Sequence, residues 1–259
     1  MDLKLKDKVV IVTGGSKGIG LGITEALVNE GAIPMIVTRN EESVLELMET
    51  FRAKGQKASY AIADLVDPAQ CKAAVIKTIE EFGRIDGLVN NAGVNDGVGL
   101  EHGSCEDFME SIKKNLTHYY LMAHHALPEL KKSKGSIVNI GSKTSLTGQG
   151  GTSGYAAANG GRNALTREWA VELLPYSIRV NAVIVAECYT PLYDRWIKTF
   201  DNPEEKLQAI TKNIPLENRM TEAGEIANTV VFLLSERSSH TTGQLIFVDG
   251  GYVHLDRAL

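Results

Sequence analysis

The residues Thr13-Gly14-Gly15-Ser16-Lys17-Gly18-Ile19-Gly20 follow an apolar run, Val9-Val10-Ile11-Val12, and lead into a helical pattern. Glycine permits positive φ in a tight turn and lets backbone approach a ligand closely. The helix N-terminus beyond it offers free N–H groups and partial positive charge. Gly14, Gly18 and Gly20, with Ser16, Lys17 and Ile19 between them, therefore suit a pyrophosphate, and their place between strand and helix points to a dinucleotide. The choice between NAD and NADP falls at the tip of the second strand, Val37-Thr38-Arg39-Asn40. No carboxylate stands there to accept from a ribose 2'-hydroxyl, whereas Arg39 can pair with a 2'-phosphate that Lys17 also reaches. NADP is expected, with NAD left open. Asp64, followed by Leu65, comes just past the third strand and is placed to accept from an adenine amino group.

The elements that must position these groups are readable as an alternation. Short β-branched runs at 9–13, 35–37, 58–63, 88–90, 137–140, 179–183 and 245–248 are separated by helix-length segments. Runs apolar on both faces, each joined to the next by a helix, predict a parallel sheet covered on both sides. The expectation is an α/β, doubly wound, Rossmann-like fold with a seven-stranded parallel sheet, forming one domain over residues 1–259. Helical periodicity is read at 19–29, 41–54, 68–82, 106–130 and 154–174, with a further helix starting near Glu222. The stretch 187–215 breaks the rhythm with prolines and aromatics and reads as a substrate lid.

Composition narrows the function further. The chain carries 27 Lys and Arg against 32 Asp and Glu, a formal charge of -5, so no basic field exists for nucleic acid or an anionic membrane. Cys71, Cys105 and Cys188 are widely spaced, without metal-ligand partners, which fits reduced thiols in a cytoplasmic protein. The six histidines show no ligand spacing either, and no metal is expected. The leading MDLKLKDKVVIVTGG has too short an apolar run for a signal peptide or a membrane span.

TGGSKGIG at 13–20, NNAG at 90–93, Ser142, Tyr155 and VDGGY at 248–252 resemble the short-chain dehydrogenase/reductase family, in this order and across nearly the whole chain. The resemblance implies hydride transfer between a nicotinamide cofactor and an alcohol or carbonyl. It further implies that Asn90, Asn91, Ala92 and Gly93 line the cofactor cleft and that Asn115, Ser142 and Tyr155 are catalytic. In the family, the tyrosine exchanges a proton with the substrate oxygen, the serine fixes that oxygen, and a lysine four residues on favours the ionised tyrosine. Here that position is Asn159, which keeps the right helical face but carries no charge. Its amide retains the ability to hydrogen-bond a nicotinamide ribose. Three readings stand: a natural variant assisted by another cation, an engineered block on turnover, or a cofactor-binding regulator that no longer catalyses. Lys143 and Arg162 are the nearest candidates for the missing charge. The resemblance also implies pairing of the long helices across subunits, as a homotetramer or homodimer.

On the substrate side, Glu187 after the sixth strand is a poor neighbour for an apolar chain but accepts hydrogen bonds from several hydroxyls. Asn95, Asp96, Lys143 and Gln149 add polar groups, and Tyr189, Tyr193 and Trp196 add rings for stacking. The stretches NDGVGLE and TREWAVEL and the Gly-Tyr-Val-His-Leu-Asp end are similar to the sugar-dehydrogenase branch of L-fucose type. The expectation is oxidation of an aldose such as L-fucose to its lactone, with reduction of another carbonyl class, such as 3-oxoacyl thioesters, as the alternative.

Overall fold

Each apolar run becomes a strand of one sheet. The computed structural model describes residues 1–255. The strands are β1 (Val9–Thr13), β2 (Ile33–Thr38), β3 (Ser59–Ile62), β4 (Gly87–Asn90), β5 (Ser136–Ser142), β6 (Arg179–Val185) and β7 (Leu245–Val248). The helices are α1 (Gly18–Asn29), α2 (Glu41–Ala53), α3 (Pro68–Phe82), α4 (Cys105–Ile112), α5 (His118–Ser133), α6 (Ser153–Glu172), α7 (Pro191–Ile197), α8 (Pro203–Thr211) and α9 (Ala223–Leu234). All strand pairs are parallel, in the order β3-β2-β1-β4-β5-β6-β7. The order reverses between β1 and β4, so a crevice opens beyond their carboxyl ends, where ligands bind in such sheets.

Successive strand residues point to opposite faces and build two cores. Ile11, Leu88, Ile137 and Val180 pack with Val75 of α3, Tyr119 and Met122 of α5 and Trp169 of α6. Val10, Val12, Val138 and Val183 pack with Ile23 and Leu27 of α1 and Ile226 and Val230 of α9. Every residue of β1 and β2 is buried, which is why these segments read as continuous apolar runs rather than alternating ones. Helix starts follow local chemistry. Asn40 accepts from the Ser43 amide at 2.7 Å, Asp67 accepts from the Ala69 amide ahead of Pro68, and Ser104 and Asp107 close a capping box.

Two expected boundaries are corrected. Strand β2 begins at Ile33, before Pro34, because Pro34 pairs only with β1 at Val10 and the pairing with β3 starts at Met35, so the missing N–H interrupts one ladder at most. The segment read as one helix over 106–130 is α4 and α5 joined by a π-helical turn, Lys113–Thr117. The stretch read as a lid holds α7 and α8, and an isolated parallel bridge between Cys188 and Thr221 joins the chain leaving β6 to the chain entering α9. No helix among the described residues is long and apolar enough to cross a membrane.

Candidate active site

The glycine turn leaves β1 with its backbone wrapped tightly. Gly14 and Gly18 have φ of +65° and +55°, and a Cβ on Gly20 would lie 2.1 Å from the Gly14 carbonyl oxygen. Lys17 occupies the N-cap of α1 without capping it through its side chain, so the first amides of the helix stay available at the crevice. A cradle closed to any Cβ at Gly20 and lined with free N–H groups fits a pyrophosphate. Asn91 anchors the far wall: its Nδ2 donates to the Thr13 carbonyl at 2.9 Å, and the amides of Asn91 and Ala92 donate to Thr13 Oγ1. Ser16 is turned inward, with Oγ 3.0 Å from Thr38 Oγ1, and ties the glycine turn to the tip of β2. Ile19 packs onto the α1–α9 core.

Arg39 is largely exposed at the β2 tip, with Nη1 4.0 Å from Asp64 Oδ2 past β3, and Lys17 is exposed in the glycine turn. The three groups thus share one rim of the crevice. Leu65 behind Asp64 is buried in the core, so it offers the crevice backbone rather than side chain. Asn90 departs from expectation: it is fully buried and its Nδ2 donates to Asn139 Oδ1 at 3.0 Å, away from the crevice. Asn139 Nδ2 in turn donates to Thr166 Oγ1, a polar chain that pins α6 to the sheet and that no spacing in the sequence signals.

The π-helical turn gives Asn115 its place. Its Nδ2 donates to the Ser111 carbonyl and its Oδ1 accepts from the Val94 amide at 2.8 Å, fixing the loop after Gly93. Widened helical turns of this kind occur often at functional sites. Ser142 ends β5, and its Oγ accepts from the Thr144 amide and hydroxyl. Tyr155, in the first turn of α6, is half-buried, and its hydroxyl has no hydrogen-bond partner among the described residues. A phenol left free beside a crevice is available to a substrate oxygen.

Asn159 is corrected. It has no exposed surface, its Nδ2 donates to the Tyr155 carbonyl at 2.9 Å, and its Oδ1 accepts from Arg162 Nη1 at 3.0 Å. Its amide is engaged within α6 rather than offered to a ribose. Arg162 is buried with it, its Nε donating to the Asn115 carbonyl at 2.7 Å and its Nη1 also to the Ile140 carbonyl at 3.2 Å. The guanidinium lies 4.3 Å from the Tyr119 ring centre and 5.9 Å from that of Tyr155.

Lys143 is placed differently. It forms a buried ion pair with Glu187, across from Ser142 at the ends of β5 and β6, and lies over the Tyr252 ring at 4.1 Å. Burial and the Glu187 carboxylate push the Tyr193 phenol up, and its hydroxyl faces that carboxylate without a well-formed hydrogen bond. Tyr189, Tyr193, Trp196 and Phe200 form a ladder of ring contacts along α7, with Tyr189 and Trp196 half exposed and the Tyr189 hydroxyl donating to Asp194. Asn95 is exposed and caps its own loop at Gly97, and Asp96 accepts from Ser111. Gln149 is exposed in the loop before α6, without a contact that ties it to the other polar groups.

A family profile described as Enoyl-(Acyl carrier protein) reductase matches residues 14–253. The chain is 33% identical to a 3-oxoacyl-[acyl-carrier-protein] reductase FabG of Thermotoga maritima over 97% of this chain and 100% of that protein. It is 32% identical to an L-fucose dehydrogenase of Bos taurus, over 97% of this chain and 91% of that protein. Among solved structures it resembles Cj0485 dehydrogenase, with a TM-score of 0.94 and 48% identity over 100% of this chain and 99% of that one. With the parallel sheet and the glycine cradle in place, and with Ser142 at the end of β5 and Tyr155 in the first turn of α6, these matches establish that the chain belongs to the short-chain dehydrogenase/reductase family, nicotinamide-dependent oxidoreductases acting on alcohol and carbonyl groups.

Proposed function

We propose that the chain oxidises a polyhydroxylated alcohol, an aldose such as L-fucose at its anomeric carbon, to the lactone, with a preference for NADP over NAD. The observation that carries the substrate class is the buried Lys143–Glu187 pair beside Ser142. A carboxylate and an ammonium next to the reacting oxygen match a substrate rich in hydroxyls, whereas an acyl or steroid chain would leave both groups desolvated without gain. The half-exposed rings of Tyr189 and Trp196 on the 187–215 segment suit stacking on a sugar face, and the similarity to an L-fucose dehydrogenase supports the same class.

When bound, the nicotinamide accepts the hydride from the substrate carbon. The pyrophosphate would lie against Gly14, Gly18 and Gly20 and the free amides of α1, and the adenosine end toward Arg39, Lys17 and Asp64. Ser142 Oγ fixes the substrate oxygen, and Tyr155 takes the proton from that oxygen as the carbon–hydrogen bond breaks. Asn115 shapes the site through its hold on Val94. Arg39, at a β2 tip whose own residues include no carboxylate, supports the 2'-phosphate form of the cofactor. Exposed apolar Met109, Tyr120 and Val171, on α4, α5 and α6, support association of copies through these helices.

The similarity to a FabG reductase favours a second reading, reduction of 3-oxoacyl thioesters. Turnover of L-fucose and related aldoses against a 3-oxoacyl thioester, each with NADP(H) and NAD(H), separates the two. Oxidation of aldoses with NADP is expected; activity confined to the thioester overturns the assignment. Loss of the NADP preference in Arg39→Ala is the companion result.

A further inference from the structure

We infer that Arg162 supplies the positive charge that favours the phenolate of Tyr155, acting as a positioning residue from α6 in place of a cation at position 159. The inference rests on Tyr155 being the proton-transferring residue. It is carried by three observations about one guanidinium.

The first is an uncompensated burial. Arg162 is 3% exposed, and among the described residues no carboxylate pairs with it. Its Nε and Nη1 donate to the neutral oxygens of Asn115, Ile140 and Asn159, and its Nη2 is buried without a partner. Neutral acceptors solvate the cation without cancelling it. A full positive charge therefore remains in a region of low dielectric, where it acts strongly on whatever can become an anion nearby.

The second is position. Tyr155, Asn159 and Arg162 follow one another at helical spacing on one face of α6, and the guanidinium carbon is 5.9 Å from the Tyr155 ring centre. An opposite charge at such a range stabilises the ionised form of a titratable group.

The third is the identity of residue 159. Its Oδ1 receives the Arg162 Nη1 proton at 3.0 Å. A lysine there would bring an ammonium against the guanidinium, two like charges without a counter-ion, so an amide at 159 and an arginine at 162 form a matched pair. Asn159 then orients the cation instead of being one.

The other charged and titratable groups around this helix do not substitute for it. On α5, burial and the Arg162 charge hold His118 down to about 3, so it is neutral, and burial pushes Tyr119 up to about 12. Past β5, Lys143 is cancelled by Glu187. On α4, Glu110 pairs with Lys113 and Lys114 at the surface.

The test is an ultraviolet phenolate titration, taken as the difference between each chain and its Tyr155→Phe counterpart, with the pH dependence of aldose oxidation measured in parallel. In Arg162→Gln the Tyr155 titration is expected to move up by about one pH unit or more, with the rise of kcat/KM following it. Asn159→Asp keeps the guanidinium in place and gives it a counter-ion, so it should shift the titration in the same direction even where Arg162→Gln does not fold. Restoring a cation in Asn159→Lys/Arg162→Gln should bring the titration back. Superimposable titrations for the parent chain and Asn159→Asp overturn the inference. Shifted titrations in a chain that turns over no aldose leave it standing and overturn the substrate assignment, and retained turnover in Tyr155→Phe removes the reading on which it rests.

Discussion

The candidate site buries two cations in opposite ways. Toward the substrate crevice, Lys143 is held against Glu187 and the Tyr252 ring, so its charge is cancelled where it sits. Toward the interior of α6, Arg162 meets only carbonyl and amide oxygens and an aromatic ring, so its charge persists. A cancelled pair presents directional donors and acceptors with little net field, which suits recognition of neutral hydroxyls. An uncancelled cation presents a field with no exposed donor, which suits tuning a neighbour without touching the substrate. The difference shows that proximity of a basic residue to a catalytic position says little until its counter-ion is known.

The largest effect expected is at Tyr155, which Arg162 approaches. Tyr155→Phe should lower kcat by about 10²–10⁴-fold, the range of a lost acid–base group, while equilibrium cofactor binding, followed by fluorescence quenching, is retained. Loss of cofactor binding instead would move Tyr155 from proton transfer to cofactor retention and dissolve the contrast. Next come the singles Lys143→Met and Glu187→Gln. Each strands a buried charge or polar group and should cost roughly 3–5 kcal/mol of unfolding free energy, whereas the double variant should cost less than either alone. Additive costs in denaturant titrations would show that the two side chains do not act as a pair.

This contrast was only half legible in the residues themselves. The glycine turn was readable because its demands are local: Gly14 and Gly18 need positive φ, and Gly20 has no room for a Cβ. The strands were readable because burial on both faces leaves continuous apolar runs, and only Pro34 concealed the start of β2. The widened turn at Lys113–Thr117 was invisible, since its residues continue an ordinary helical pattern, and with it the reach of Asn115 to both Ser111 and Val94. Lys143 and Arg162 could be nominated for the missing charge but not ranked. Ranking needs the register that sets Ser142 beside Val185, and with it Lys143 within reach of Glu187, and the docking of α6 on the widened turn, which gives Arg162 the Asn115 carbonyl. Asn159 was legible as a departure, but its engagement inside α6 was not.

The uncancelled side also predicts an acid liability. His118 is held down to about 3 by burial first and the Arg162 charge second, against an ordinary value of 6.5. The unfolded chain binds a proton at this histidine below 6.5 while the folded chain does not. Its contribution is therefore fully present above 6.5 and declines as pH falls toward 3, at about 1.4 kcal/mol per pH unit. Urea unfolding of His118→Leu should show a shallower loss over that window than the parent chain. Equal slopes would mean that His118 takes up its proton in the folded state and that the Arg162 side tolerates a second cation.

A third cation completes the comparison at the surface, where water does the compensating. Arg219 donates to both oxygens of Glu225 at 2.7 and 3.0 Å, with side chains 42% and 40% exposed, and Glu225 Oε2 also accepts from the Glu222 amide to cap α9. The bonds from Arg219, followed by the Glu222 amide, lower the Glu225 carboxyl from 4.5 to about 2. A carboxyl with a depressed folded value stabilises the fold above 4.5 and loses that contribution as pH falls toward 2. Exposure limits the size: solvent screening of the pair and the single capping bond leave about 1 kcal/mol for Glu225→Gln at neutral pH. High salt should shrink the part due to Arg219 and spare the part due to the cap. If the cost at neutral pH matched that of the Glu187 variants and ignored salt, exposure would not be what separates these cations, and the contrast between Lys143 and Arg162 would need another physical basis than the company each keeps.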